Sequence, residues 1–222
     1  MKKVKKQNGF TLVEIAIVLV IIGLLLGGVL KGQEIIESSK IKTLAKDLNG
    51  ATAMFMAYQD RYRGVPGDDV TAAEITARGW GAVTTGDADG FIGVAATANT
   101  AAQMFPTPSA ESLAALQALR SAGFLTGTGT STVAPLNAAG GLMGFTSKVM
   151  AFGDQNVVCY SGLSGKQAGA LDRLLDDGVS TTGSVRSSSA VTTAAAVIAA
   201  TAATGTAPYG EATAGVYLCK LL

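Results

Sequence analysis

The feature of this 222-residue sequence that most restricts its fold is an unbroken apolar run close to the N-terminus. From Phe10 to Leu30 there are 21 residues with one charge, Glu14, and four lysines precede them, at positions 2, 3, 5 and 6. At ~1.5 Å per residue, a helix of this length just spans a hydrocarbon core of ~30 Å. Lysines before the run favour a cytoplasmic N-terminus. The run therefore predicts a membrane-spanning helix over residues 10–30, with the rest of the chain on the far side.

Glu14 is the unusual residue of this run. A carboxylate in a membrane helix is costly and usually has a partner, and the run contains no Lys or Arg. A cleavable secretory signal would have a shorter apolar region, with its small-residue cleavage site after that region. Here Gly9 precedes the apolar run instead. A plain membrane anchor is the better alternative, but it would leave Glu14 unexplained.

The basic leader, Gly9, Phe10 and Glu14 together closely resemble the N-terminus of type IV prepilins. The resemblance implies that a membrane-embedded prepilin peptidase cuts after Gly9 and that the new Phe10 amine is N-methylated. It also implies that Glu14 pairs with the Phe10 amine of a neighbouring subunit in a growing filament. The expected partners are further copies of this chain, the peptidase and N-methyltransferase, the inner-membrane assembly machinery and the membrane itself.

The membrane run is expected to continue as one helix. Apolar residues then recur at alternating spacings of three and four, which is typical of a helix with one buried face. They are Ile41, Leu44, Leu48, Ala51, Phe55, Tyr58 and Tyr62. Gly64, Pro66 and Gly67 end the helix, so residues 10–63 predict a rod of ~80 Å. Four glycines between Gly23 and Gly32 either permit close helix approach or weaken the helix for assembly.

The remaining residues, 64–222, predict a globular head with a small antiparallel sheet. The expected elements are a helix from Thr107-Pro108 to Gly123, strands over 145–152 and 157–160, a helix over 165–177 and a strand over 215–222. The acids Asp176 and Asp177 are expected to bond a turn, with an ion as the less favoured alternative. Residues 180–207 are rich in Ser, Thr and Ala, and predict a surface loop or irregular strands. The fold class is therefore α+β: the pilin fold that the resemblance implies.

Two smaller patterns concern ligands and cross-links. Asp87 and Asp89 resemble the middle of a calcium loop, but acids are lacking at Thr85 and Ala96, so a simple turn is favoured and no cofactor is expected. Cys159 and Cys219 most simply form one disulfide in an exported chain. A metal site would need more ligands. A disulfide near the C-terminus also agrees with the pilin resemblance.

Composition argues against catalysis and nucleic-acid binding. Histidine is absent, which removes the commonest general base and any Ser-His triad. The leader holds four of the 17 basic residues, so the mature chain would have 13 basic and 16 acidic residues, which does not suggest nucleic-acid binding through net charge. We expect a structural subunit of a type IV pilus that serves adhesion, twitching motility or DNA uptake, and we do not expect an enzyme. The subunit should be held in the inner membrane before assembly and be part of an extracellular pilus afterwards. The alternatives are a minor pilin, a secretion pseudopilin or a membrane-tethered binding module that never polymerises.

Overall fold

The computed structural model describes residues 11–93, 105, 111–150, 152–188, 209–210 and 215–222. The helices are α1 (Leu12–Tyr62), α2 (Ala72–Ala77), α3 (Glu111–Ser121) and α4 (Gly165–Leu175). The strands are β1 (Met143–Ser147), β2 (Asn156–Leu163), β3 (Val185–Ser188) and β4 (Val216–Leu221). A long apolar helix followed by a small antiparallel sheet confirms the predicted α+β architecture.

The chain divides into two compact units, Met1–Lys40 and Ile41–Leu222, and α1 contributes to both. In the first unit, the large apolar side chains of α1 are exposed around the whole helix. Within the described residues, α1 is the helix long and apolar enough to cross a membrane. Its most apolar window has no residue buried by this chain. The structure therefore agrees with the predicted anchor on length and composition.

In the second unit, α1 becomes amphipathic and forms one wall of the core. Its buried residues are Leu44, Ala45, Leu48, Ala51, Phe55 and Tyr58, which confirms the predicted apolar face. Phe55 stacks on Phe145 of β1, with 6.2 Å between ring centroids. Burying side chains of this size is the main favourable contribution to folding a domain.

The sheet has the order β1-β2-β4-β3, and all its pairs are antiparallel. Because strand side chains alternate between faces, Val158, Tyr160 and Leu218 lie in the same core cluster as α1. Val157, Cys159 and Cys219 point to the other face and form a second cluster. Val149, Met150 and Phe152 pack in this second cluster and cover that face. Both faces of the central strands are thus buried.

Two predicted element boundaries need correction, and a third lies on residues that the structure does not describe. The strand predicted over 145–152 is observed at Met143–Ser147, because Lys148 and Met150 take positive φ angles of 55° and 48° and turn the chain. The helix predicted over 165–177 ends at Leu175, since Asp176 has left the helical conformation. The predicted helix start at Thr107-Pro108 lies outside the described residues.

A buried polar network fixes the chain where α1 ends. The Tyr58 hydroxyl donates to Asp69 Oδ1 over 2.9 Å, and Arg78 donates to Tyr58 Oη and to Asp69 Oδ2. The Arg78 guanidinium also lies 4.6 Å from the Tyr62 ring centroid and 5.0 Å from that of Trp80. A carboxylate shielded from water needs such a partner. The network thereby places Asp69 and its neighbour Asp68 against the end of α1.

Candidate functional site

The N-terminal residues singled out by the sequence fall on both sides of the first described residue. Gly9 and Phe10 lie outside the described residues, whereas Glu14 lies in the first turn of α1. Thr11 precedes the helix, and Thr11 and Glu14 each donate hydrogen bonds to the other. Glu14 Oε2 accepts from the Thr11 amide and from the Thr11 hydroxyl, each over 2.8 Å, and the Glu14 amide donates to Thr11 Oγ1 over 3.3 Å.

This arrangement is a capping box, in which a threonine and a glutamate three residues apart satisfy free amides at a helix start. The sequence pattern Thr-x-x-Glu before an apolar run could have indicated it. The sequence showed that the run has no Lys or Arg to neutralise Glu14, and the hydrogen bonds from Thr11 add a local role that it did not predict. The Glu14 carboxylate has two hydrogen-bond donors, but it makes no ion pair with any described residue. The charge thus stays available for a cation from outside this helix.

The glycines of α1 leave room for a neighbouring helix. A Cβ added at Gly23, Gly27, Gly28 or Gly32 would meet no heavy atom within 4 Å. The chain's own packing therefore does not require glycine at these positions. Small residues at spacings of four allow two membrane helices to approach closely, which is the first of the two roles considered from the sequence.

Carboxylates from three separate segments converge on the loop after residue 85. Asp68, Asp87 and Glu111 bring oxygens within 4.8 Å of one another, a set that could hold a cation. Asp68 and Glu111 each accept two backbone amides of this loop, from Asp89 and Gly90 and from Asp87 and Gly93 respectively. Gly86 is needed here because a Cβ would lie 2.3 Å from the Asp68 carbonyl oxygen.

The two weak calcium candidates play different parts in this loop. Asp87 belongs to the convergent set, whereas Asp89 is outside it and accepts the Phe91 amide over 2.9 Å. The loop therefore contains the hydrogen-bonded turn favoured from the sequence. The calcium-loop pattern has no acidic residue at Thr85 or Ala96, and Asp68 and Glu111 provide carboxylates in their place. Because these two residues are distant in the sequence, the local spacing could not have indicated them. Calcium binding itself stays a proposal.

Burial raises the pKa of Glu111 to about 7, and the nearby carboxylates of Asp87 and Asp68 add to the effect. Two backbone amides act in the opposite direction, without cancelling the shift. Burial likewise raises the pKa of Asp68. A carboxyl whose pKa is higher in the folded than in the unfolded protein stabilises the fold at low pH and loses that contribution as pH rises.

We accordingly expect the free energy of unfolding to fall between about pH 4.5 and pH 7, the ordinary and the raised pKa of Glu111. Glu111→Gln should flatten this slope, since glutamine keeps an acceptor oxygen but does not titrate. Denaturant unfolding followed through Trp80, the only tryptophan, provides the measurement. Asp60→Asn, at an exposed α1 carboxylate, is the matched control and should keep the slope. An unchanged slope in Glu111→Gln would contradict the assignment.

A second acidic group closes the turn after α4. Asp177 accepts the Val179 amide and the Thr182 hydroxyl, and Asp176 accepts the Val185 amide over 3.0 Å. Asp172 is fully buried and accepts the Tyr209 hydroxyl and the Gly178 amide. The prediction that Asp176 and Asp177 bond a turn is confirmed. The three acids also form a possible cation group, but each already has hydrogen-bond donors from the chain.

The two cysteines are joined in a disulfide, as predicted. Cys159 of β2 and Cys219 of β4 are directly paired across the two strands, are fully buried and close a loop of 60 residues. On the chain-entropy model, a loop of this length gives about 4 kcal/mol. The bond therefore attaches the C-terminal strand to the centre of the sheet.

Cys159→Ala and Cys219→Ala should each lower the free energy of unfolding by about 2–5 kcal/mol, and the double variant by little more than either. The reason is that either substitution alone already opens the loop. Denaturant unfolding read from Trp80 fluorescence measures the effect. Membrane insertion should be unchanged because the anchor lies in the other unit. Two free thiols in the purified exported protein would refute the bond.

Comparison with known proteins bears on the first thirty residues. Residues 4–30 match the family model described as the prokaryotic N-terminal methylation motif. Searches of curated proteins and of solved structures give no significant match. The matched segment contains Gly9, Phe10 and Glu14 and ends where the apolar run ends. The chain therefore carries the class III signal of prepilin-type proteins. Its α+β fold, a long N-terminal helix with a small antiparallel sheet, is consistent with the pilin fold.

Proposed function

We propose that this chain is a structural subunit of a type IV pilus. In this proposal, the peptidase cuts after Gly9, Phe10 is N-methylated, and subunits leave the inner membrane to polymerise through α1. The observation that carries the proposal is a methylation motif joined to a helix whose apolar surface this chain leaves uncovered. Burying that surface against other copies would supply the free energy of polymerisation. The role is structural, and it needs no cofactor.

The proposed cleavage and polymerisation divide the chain into three parts. Residues 1–9 form the leader, residues 10–63 form the long helix with its membrane part at 10–30, and residues 64–222 form the head. The partners are other copies, the peptidase and N-methyltransferase, and the inner-membrane assembly machinery. Adhesion, twitching motility and DNA uptake are the activities that such a filament would serve.

Cell fractionation with shearing tests this proposal. The chain should be present in sheared extracellular fibres, visible by electron microscopy, and deletion of its gene should remove them or reduce their number. A membrane-tethered binding module would stay in the membrane fraction and leave fibres unchanged. That second result would replace the pilus proposal with the tethered module.

A secretion pseudopilin is the second candidate, and the convergent acids Asp68, Asp87 and Glu111 favour it, since some pseudopilins use calcium loops. In this case calcium should raise the unfolding midpoint of the purified protein at pH 7.5, and chelation should reverse the shift. Asp87→Asn should remove the response, while Asp60→Asn should keep it. A midpoint that does not depend on calcium would exclude the cation site, and normal secretion after gene deletion would exclude the pseudopilin role.

A further inference from the structure

A groove on the Ile41–Leu222 unit has no part in the function proposed above. It has a volume of about 320 Å³ and lies between α1, the segment after α3, and the first two strands. Met54, Leu125, Leu136 and Met143 provide most of its apolar wall. A volume and lining of this kind are within the range of small-molecule sites in proteins.

Two features of the groove are unfavourable for the chain alone. Gly50 lies within α1, where glycine weakens a helix, yet a Cβ at this position would meet no heavy atom within 4 Å. Tyr160 is fully buried, and its hydroxyl has no hydrogen-bond partner among the described residues. A buried polar group without a partner is destabilising. Both features line the same groove.

The charges around the groove restrict what it can hold. Lys46 and Asp47 line it next to each other, so their opposite charges favour a neutral ligand. Burial, and then the Asp47 carboxylate, raise the pKa of Tyr160, so its hydroxyl stays neutral. Of the two charges, the Asp47 carboxylate is the one that acts on this hydroxyl. A ligand that brings a hydrogen to the phenol oxygen is therefore favoured over one that brings an anionic oxygen.

The shape and the sulfur atoms favour a flat ring. Gly50 presents bare helix backbone, against which a planar group can lie closely. Met54 and Met143 provide two thioethers, and sulfur makes favourable contacts with aromatic rings. We propose that this groove is a binding site for a small, neutral, planar aromatic molecule that donates one N–H hydrogen bond to the Tyr160 hydroxyl.

The test uses the full-length protein in lipid nanodiscs, with ¹³C-labelled methionine methyl groups and indole as the probe. The methyl signals of Met54 and Met143 should shift saturably, because both line the groove. Met56 is exposed on the same helix but does not line the groove, so its signal should not shift. Empty nanodiscs correct the free indole concentration for partitioning into lipid.

Substitutions at the helix test the location. Gly50→Leu should fill the groove and abolish the saturable shifts, and it should not unfold α1 because leucine is a better helix former than glycine. Asn49→Leu adds the same side chain one residue away, at an exposed position outside the groove lining, and should leave binding unchanged. Equal binding by wild type and Gly50→Leu would overturn the proposal.

A pair of probes tests the hydrogen bond. Because 1-methylindole lacks the N–H, it should bind wild type about two- to tenfold more weakly than indole does, the effect of one neutral hydrogen bond. In Tyr160→Phe this ratio should fall to about one, and comparing the two ratios cancels differences in size and lipophilicity. A ratio that is the same in wild type and Tyr160→Phe would overturn the assigned role of Tyr160. Absence of saturable shifts with both probes would overturn the site.

Discussion

Replacement of Glu14 by alanine is expected to abolish filament assembly while membrane insertion and cleavage after Gly9 continue. Insertion should if anything improve, because the substitution removes a charge from an apolar helix. Assembly should fail because an ionised carboxylate among packed apolar helices needs a cation, and no described residue provides one. In the proposed processing, cleavage after Gly9 generates the Phe10 amine, which is the cation that Glu14 would pair with. If the amine belongs to another subunit, each ion pair sets the axial position of one added subunit.

The capping box makes it necessary to separate two roles of Glu14. Glu14→Gln keeps an acceptor for the Thr11 amide, and glutamine is a normal capping-box residue, but it has no charge. We expect Glu14→Gln to fail in assembly as Glu14→Ala does. Thr11→Val removes the capping hydroxyl and keeps the charge, so it should retain most of the assembly. Glu14→Asp should be intermediate because its side chain is shorter.

The amount of subunit in sheared fibres, relative to the membrane fraction, measures these effects when the variant is the only source of this subunit. Cleavage must be normal in each variant for the comparison to hold. Wild-type fibre yield from Glu14→Ala or Glu14→Gln would show that this carboxylate does not direct assembly. A Thr11→Val defect as severe as that of Glu14→Ala would assign Glu14 to helix capping alone.

The second large effect is expected at the cleavage position. Gly9→Val should block processing, because a peptidase that accepts glycine before the cut has no space for a branched side chain. The precursor should insert normally, keep its four-lysine leader and be absent from fibres. Asn8→Val is the matched control, since it places the same side chain one residue earlier and leaves Gly9 intact. Immunoblotting against the leader measures uncut precursor, and efficient cleavage of Gly9→Val would contradict the assignment.

The sequence predicted the parts of this molecule whose signals are local. The apolar run, its lysines and Glu14 occupy thirty consecutive residues, and the buried face of α1 follows from a regular spacing of three and four. The strand that carries Cys159 was predicted from a short apolar run, Val157 to Tyr160, that follows the Gly153-Asp154 turn. Each of these signals lies within one stretch of sequence, which is visible without knowledge of its neighbours in the fold.

The missed features depend on contacts or on backbone conformations that local patterns do not show. Asp68 and Glu111 meet Asp87 only because the fold brings their three segments together. The first strand ends at Ser147 because Lys148, which is not a glycine, takes a positive φ while its ammonium lies 4.2 Å from the Phe91 ring centroid. The capping box at Thr11 is different, since its Thr-x-x-Glu pattern is local and visible in the sequence.

Intact-mass spectrometry of the chain recovered from sheared fibres and from membranes tests the central claim most directly. The account predicts a mature chain in both fractions that begins at Phe10, carries one added methyl group at its N-terminus and loses two hydrogens through the Cys159–Cys219 bond. A chain that still begins at Met1, or one whose N-terminus lies beyond Leu30, would contradict the prepilin account.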